Sequence, residues 1–167
     1  MSSQALSTGI KMTKVGFIGF GKFAQVRLKI LRKILGVEVV GWFDPHMESQ
    51  SDGLIKFHNL NDLFTEIDAV IISVPPKLAP SYVIKSLIMG LHVFCEKPAA
   101  VSKSDLEEVG NYISSDKVLA YGFNHRQHES IKKMKSIIDD NCFGDILWMR
   151  GRYGKEVDEG YKNTWRC

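Results

Sequence analysis

The sequence predicts an α/β protein: a parallel sheet with helices on both faces, followed by the start of a truncated α+β second domain. Three observations carry this. Short apolar runs alternate with helical periodicities from Lys14 to about Asp140. One run, "DAVIISV" (68–74), is apolar apart from Asp68 and Ser73, as suits a strand buried on both faces of a parallel sheet. From Gly144 onward the alternation stops.

The elements follow in order. "KVGFI" (14–18) is a short strand. Over 22–35, Ala24, Leu28, Leu31 and Leu35 recur at helical spacing, and Gly36 stops the helix. "VEVVGWF" (37–43) is a second strand, and "NDLFTE" (61–66) a short helix. The strand 68–74 precedes a helix over about 79–89, bracketed by Pro80 and Gly90. A strand over 92–96 leads to a helix over 102–113, where Ser102 and Asp105 have capping-box spacing and Leu106, Val109 and Ile113 share a face. "KVLAYGF" (117–123) is a strand; 128–140 is a helix with Ile131, Met134 and Ile138 inward. Strands separated by helices in this rhythm mean βαβ units. "ILWMRGRY" (146–153) alternates as one strand of a larger antiparallel sheet. Its unpaired edge invites a partner chain, so a homo-oligomer or swapped contact is expected, or else disorder from about Gly144 onward.

Composition excludes several classes. The chain has 167 residues, 44% hydrophobic and 25% charged, an ordinary globular mix. The net charge of +3 and the lack of a basic block argue against nucleic acid. Arg27, Lys29, Arg32 and Lys33 interleave with apolar residues and read as a solvated helix face. Cys95, Cys142 and Cys167 have neither disulfide nor zinc spacing, which suits reduced thiols and a cytoplasmic protein. Residues 1–12 read as a flexible leader without signal-peptide features, and no run approaches the roughly 20 apolar residues that span a bilayer.

The chemistry sits in a few motifs. Gly19-Phe20-Gly21-Lys22-Phe23-Ala24 is a GxGxxA between a strand and a helix. That is the context of the dinucleotide fingerprint, and it makes the sheet a Rossmann-type doubly wound one. Gly19 would give the tight turn, Gly21 the close approach to a pyrophosphate, and Ala24 close helix packing. Asp44 ends the second strand 20 residues after Ala24, where a carboxylate accepts ribose hydroxyls. Its charge favours NAD over NADP, with NADP the second option; a surface "FDP" turn is the bland reading. Ser73, Val74, Pro75 and Pro76 end the next strand at the carboxyl edge, although a helix-entry turn explains them too. Glu96 and Lys97 then emerge at that same edge before Pro98. A partly buried lysine there could bond a substrate hydroxyl and aid proton transfer; an exposed Glu-Lys turn is the simpler reading of those two residues alone.

Taken together, "GFIGFGKFA", "FDP", "ISVPP", "CEKPAA" and "YGFNHR" resemble the Gfo/Idh/MocA family of NAD(P)-dependent oxidoreductases over about residues 13–166. The resemblance implies hydride transfer to or from a sugar, inositol or nucleotide-sugar carbon. It makes Lys97 the catalytic lysine, Glu96 a residue that sets the site, and Pro98 the residue after an often cis peptide. It also places Asn124, Trp165 and Arg166 near the cofactor. The family's lysine works with a His, or an Asp or Tyr, from a glycine-rich helix that should follow "NTWR" (163–166). The expectation is therefore a dinucleotide-binding domain over 13–143 and the start of a truncated substrate domain over 144–167. Such a chain would bind NAD(H) weakly and turn over no substrate. The alternative is a non-catalytic NAD(H)-sensing or regulatory Rossmann protein. His125 and His128 lack a third metal ligand at useful spacing, Cys95 reads as a buried structural thiol, and Tyr121 and Tyr161 read as packing residues.

Overall fold

In the computed structural model, which describes residues 12–48, 53–152 and 154, the first apolar run becomes the centre of a sheet. This strand, β1 (Thr13–Ile18), lies between β2 (Val37–Phe43) and β4 (Ala69–Ile72). The short β3 (Ile55–Phe57) flanks β2, while β5 (His92–Cys95) and β6 (Leu119–Tyr121) extend the sheet beyond β4. All five pairings are parallel. The order β3-β2-β1-β4-β5-β6 is that of the Rossmann fold, with its topological switch between β1 and β4.

The register aligns the strand ends. Ile18 pairs with both Phe43 and Ile72, Ile72 with Cys95, and Cys95 with Tyr121. The residues that follow these positions are Gly19, Asp44, Ser73, Glu96 and Gly122. All five leave the sheet along one edge. Sequence spacing suggested this convergence for all but Gly122, and the pairing fixes it.

Two apolar layers hold the sheet. On one face Ala24 and Leu28 of α1 (Lys22–Leu31) pack with Phe17, Phe20, Trp42 and Ile71. Phe20 stacks on Trp42 at 4.8 Å between ring centroids. The second cluster joins Leu63 and Phe64 of α2 (Leu60–Thr65), Val83 and Leu87 of α3 (Ala79–Ile88), and Val109 of α4 (Lys103–Gly110) to Ile18, Val70, Ile72 and Val93. Each fully buried side chain of this size contributes about 1.5–3 kcal/mol. The capping box of α4 forms as expected: Ser102 Oγ accepts from the Asp105 N–H, and Asp105 Oδ2 from the Ser102 N–H.

Some elements differ from the sequence reading. Helix α1 ends at Leu31, and Leu35 is 93% exposed, because the chain must turn through Gly36 to enter β2. In α4 only Val109 is buried; Leu106 is exposed, as is Ile113, which lies beyond the helix end at Gly110. The edge strand β3 gave no signal, being three residues with Lys56 in the middle.

The described residues fall into two compact units, one ending at Asn124 and the other beginning at His125. The second holds α5 (Glu129–Asp139), of which no residue is fully buried; Ile131 and Met134, expected inward, are exposed. Residues 146–152 form no strand. Among the described residues their alternation has no neighbouring strand to complete a hydrogen-bond ladder, and backbone groups without a ladder partner turn to water. Tyr153 and Tyr161 lie outside the described residues.

Candidate cofactor and active site

The loop after β1 is clasped by its neighbours. Gly19 has φ +78°, and its N–H donates to Phe43 O at 2.9 Å. The Ser73 N–H donates to Ile18 O at 2.8 Å. A Cβ on Gly19 would lie 2.5 Å from Ser73 O and 2.8 Å from Val74 Cγ1. Glycine is required here both for its left-handed backbone and for the contact between the two loops.

Gly21 differs. It is the N-cap of α1 at φ −71°, ψ −169°, an extended conformation open to any residue, and it makes no side-chain cap hydrogen bond. A Cβ there would meet no protein atom within 4 Å. Packing within the protein therefore does not demand glycine. The open space faces a helix N-terminus, where backbone N–H groups and the helix dipole attract an anion. A pyrophosphate fits this arrangement. Lys22 and Phe23 are exposed beside it, while Ala24 is fully buried under α1.

Asp44 is anchored to this loop. Its Oδ2 accepts from the Phe20 N–H and its Oδ1 from the His46 N–H, both at 2.9 Å. A carboxylate has about four lone-pair sites, so two remain for ribose hydroxyls. Ser73 and Val74 are half-buried, Pro75 is exposed and Pro76 buried, at the turn into α3.

At the end of β5 the Glu96 N–H donates to Ile72 O at 2.9 Å. Its carboxylate, 13% exposed, meets Arg27 of α1 at 2.7 Å. Gly122 lies beneath: a Cβ there would be 2.8 Å from Glu96 Oε2. Asn124 closes the group, its Oδ1 accepting from Arg27 Nη2 at 3.3 Å. Lys97 follows Glu96 and precedes a cis peptide to Pro98. The partial burial expected of Lys97 is not found. The side chain is exposed, because the strand has ended and Lys97 projects past the sheet edge. Trp165 and Arg166 lie outside the described residues.

The fold thus brings Gly19, Gly21, Asp44, Ser73, Glu96, Lys97 and Asn124 to one edge. Sequence reasoning missed Arg27 and Gly122. Arg27 was grouped with Lys29, Arg32 and Lys33 as a solvated face. It sits three residues after the buried Ala24 and one before the buried Leu28, and that helical phase was the available signal.

Two neighbouring groups are kept neutral. Burial, with a smaller contribution from the Glu96 charge, pushes the Cys95 thiol from 9.0 up to about 12. Burial also raises Tyr121, with Cys95 adding to it, and the Tyr121 hydroxyl is buried without a hydrogen-bond partner among the described residues. Cys95 is a packing thiol, as the sequence suggested. At pH 8 a maleimide should label the exposed Cys142 but leave Cys95 unmodified in the folded chain. The same shift fixes a sign. Between pH 9 and about 12 the unfolded chain loses the Cys95 proton while the folded chain retains it. Stability should therefore fall with rising pH in that window. Cys95 labelling at the rate of Cys142, mapped by peptide mass, would contradict the burial.

A family model described as an oxidoreductase family with an NAD-binding Rossmann fold matches residues 13–125. The chain belongs to the Gfo/Idh/MocA oxidoreductase family. Among curated proteins, the family's glucose-6-phosphate 3-dehydrogenase of Bacillus subtilis is 28% identical over 163 residues, covering 93% of this chain and 46% of the relative. Among solved structures, the myo-inositol 2-dehydrogenase from Lactobacillus plantarum matches at TM-score 0.69 and 27% identity, over 82% of this chain and 44% of that one. The scyllo-inositol dehydrogenase from Lactobacillus casei, solved with bound cofactor NAD(H) and scyllo-inositol, shares the fold at TM-score 0.71 and 24% identity, over 81% of this chain and 43% of that one. The chain spans about half the length of the relatives it matches. Among the described residues no helix is long and apolar enough to cross a membrane.

Proposed function

We propose that this chain is the cofactor-binding and lysine-bearing part of an NAD(P)-dependent oxidoreductase acting on a sugar, inositol or nucleotide-sugar carbon. One observation carries this. The register of five strand ends brings the GxGxxA loop, Asp44 and Glu96-Lys97 to a single sheet edge. The relatives' names, dehydrogenases of glucose 6-phosphate and of inositol, support a polyhydroxylated substrate.

NAD(H), when bound, accepts or supplies the hydride. In this reading, Gly21 and the N-terminus of α1 hold the pyrophosphate. Asp44 accepts the ribose hydroxyls, and its charge disfavours a 2′-phosphate. Ser73 to Pro76 wall the crevice, and Glu96 and Asn124 stand at the nicotinamide end. Lys97 reaches past the edge, donates a hydrogen bond to the substrate oxygen and exchanges a proton with it. The three cysteines, odd in number and widely spaced, support a reducing compartment, and a cytoplasmic location goes with this reading.

Replacing Lys97 with methionine tests the catalytic part. In the protein carrying this segment, polyol oxidation should fall by about 10²–10⁴-fold, the usual scale for losing a positioned acid–base group. NADH affinity should stay within about threefold, roughly 0.7 kcal/mol. Turnover equal to that of the parent protein would remove Lys97 from the chemistry.

A further inference from the structure

We propose that Arg27 is a positioning residue for the nicotinamide end of the site, holding Glu96 and Asn124 in place from helix α1. The inference rests on the cofactor reading above. Arg27 lies outside the GxGxxA fingerprint, one helical turn beyond Ala24. Its side chain nevertheless reaches the ends of two other chain segments. Nε and Nη2 both approach Glu96 Oε1 at 2.7 Å, and Nη2 donates to Asn124 Oδ1 at 3.3 Å. The guanidinium also lies 5.0 Å from the centroid of the Phe94 ring, within cation–π range.

The arrangement is more specific than an ordinary surface ion pair. Arg27 is 25% exposed and Glu96 13%, so the pair is sheltered from solvent on both sides. Three unlike groups fix the guanidinium: a carboxylate, an amide oxygen and a ring face. A planar fork can meet all three together, whereas an ammonium is a single point charge. Gly122 makes the other half of the clamp, since a side chain there would collide with Glu96 Oε2.

The charge balance gives Arg27 a second consequence. Glu96 and Lys97 are adjacent in sequence, yet the carboxylate is paired with Arg27. Among the described residues Lys97 has no ion pair. Arg27 therefore neutralises the acid, and the neighbouring ammonium stays uncommitted at the sheet edge. Because the Asn124 carbonyl faces Arg27, its amide NH₂ is the end turned to other partners.

The test compares two ligands on the 167-residue chain. NADH would occupy both ends of the crevice; ADP would occupy only the adenosine and pyrophosphate end. Arg27→Met should weaken NADH by about tenfold, or ~1.4 kcal/mol, and leave ADP within about twofold. Arg27→Lys keeps the charge without the fork and should recover part of the NADH loss. A merely structural role would weaken both ligands alike. Equal losses for NADH and ADP, or no loss for either, would overturn the proposal while the cofactor reading stands. An unsubstituted chain that binds neither ligand would overturn the cofactor reading, and the role of Arg27 with it.

Discussion

Gly19→Ala should leave little folded protein, with a melting temperature lower by about 10 °C or more. The added Cβ would meet Ser73 O at 2.5 Å and Ser73 C at 2.9 Å. Those atoms are backbone, and Ser73 is itself held by its N–H bond to Ile18 O. Turning the nearby Val74 side chain aside would leave this backbone clash in place. Alanine must also adopt φ +78°, a left-handed conformation that costs about 1–3 kcal/mol. Relief requires separating the β1 and β4 loops, which adds overpacking strain of about 1–3 kcal/mol. Domains are stable by only about 5–15 kcal/mol, so the sum is a large fraction of the total. A thermal melt checks it. A variant melting within about 2 °C of the parent would show that the loops part easily.

Gly21→Ala should give the opposite pattern two residues away. Its backbone is already extended and its Cβ would enter open space, so the variant should fold and melt nearly as the parent does. Replacing glycine by alanine at an N-cap costs of order 1 kcal/mol or less. NADH affinity, however, should fall by about tenfold or more, because the methyl group occupies the approach to the helix N-terminus. ADP should weaken in parallel, since it shares the pyrophosphate. Unchanged affinity for both nucleotides would mean that the gap at Gly21 is not where phosphate lies. The two glycines thus separate a folding requirement from a binding one within a single motif.

Much of this was legible in the sequence for physical reasons. The apolar run from Ala69 to Ile72 suits a strand buried on both faces, and its alternation with helical segments pointed to a parallel sheet, which the pairing with β1 and β5 bears out. Pro80 and Gly90 mark the limits of α3 within a residue or two because each imposes a backbone constraint. GxGxxA and Asp44 were readable because their spacing follows from one βαβ unit. What escaped depended on tertiary placement. Arg27 looks like its basic neighbours Lys29 and Lys33 until the end of β5 is laid beside α1. Gly122 looks like a turn residue until Glu96 is placed over it. The alternation over 146–153 resembled a strand, but periodicity cannot provide a pairing partner. Leu35 kept the helical period without a core to meet, since the chain had already turned toward β2.

The most direct measurement is a titration of the 167-residue chain with NADH and then NADPH, following energy transfer from its tryptophans. Trp42 lies buried against Phe20 of the fingerprint loop and gives a donor beside the expected site. Saturable transfer with NADH, at least about tenfold weaker with NADPH, is the predicted result. Equal affinity for the two nucleotides would remove Asp44 from ribose recognition. No saturable transfer with either would contradict the cofactor site itself, leaving the shared sheet edge as architecture alone.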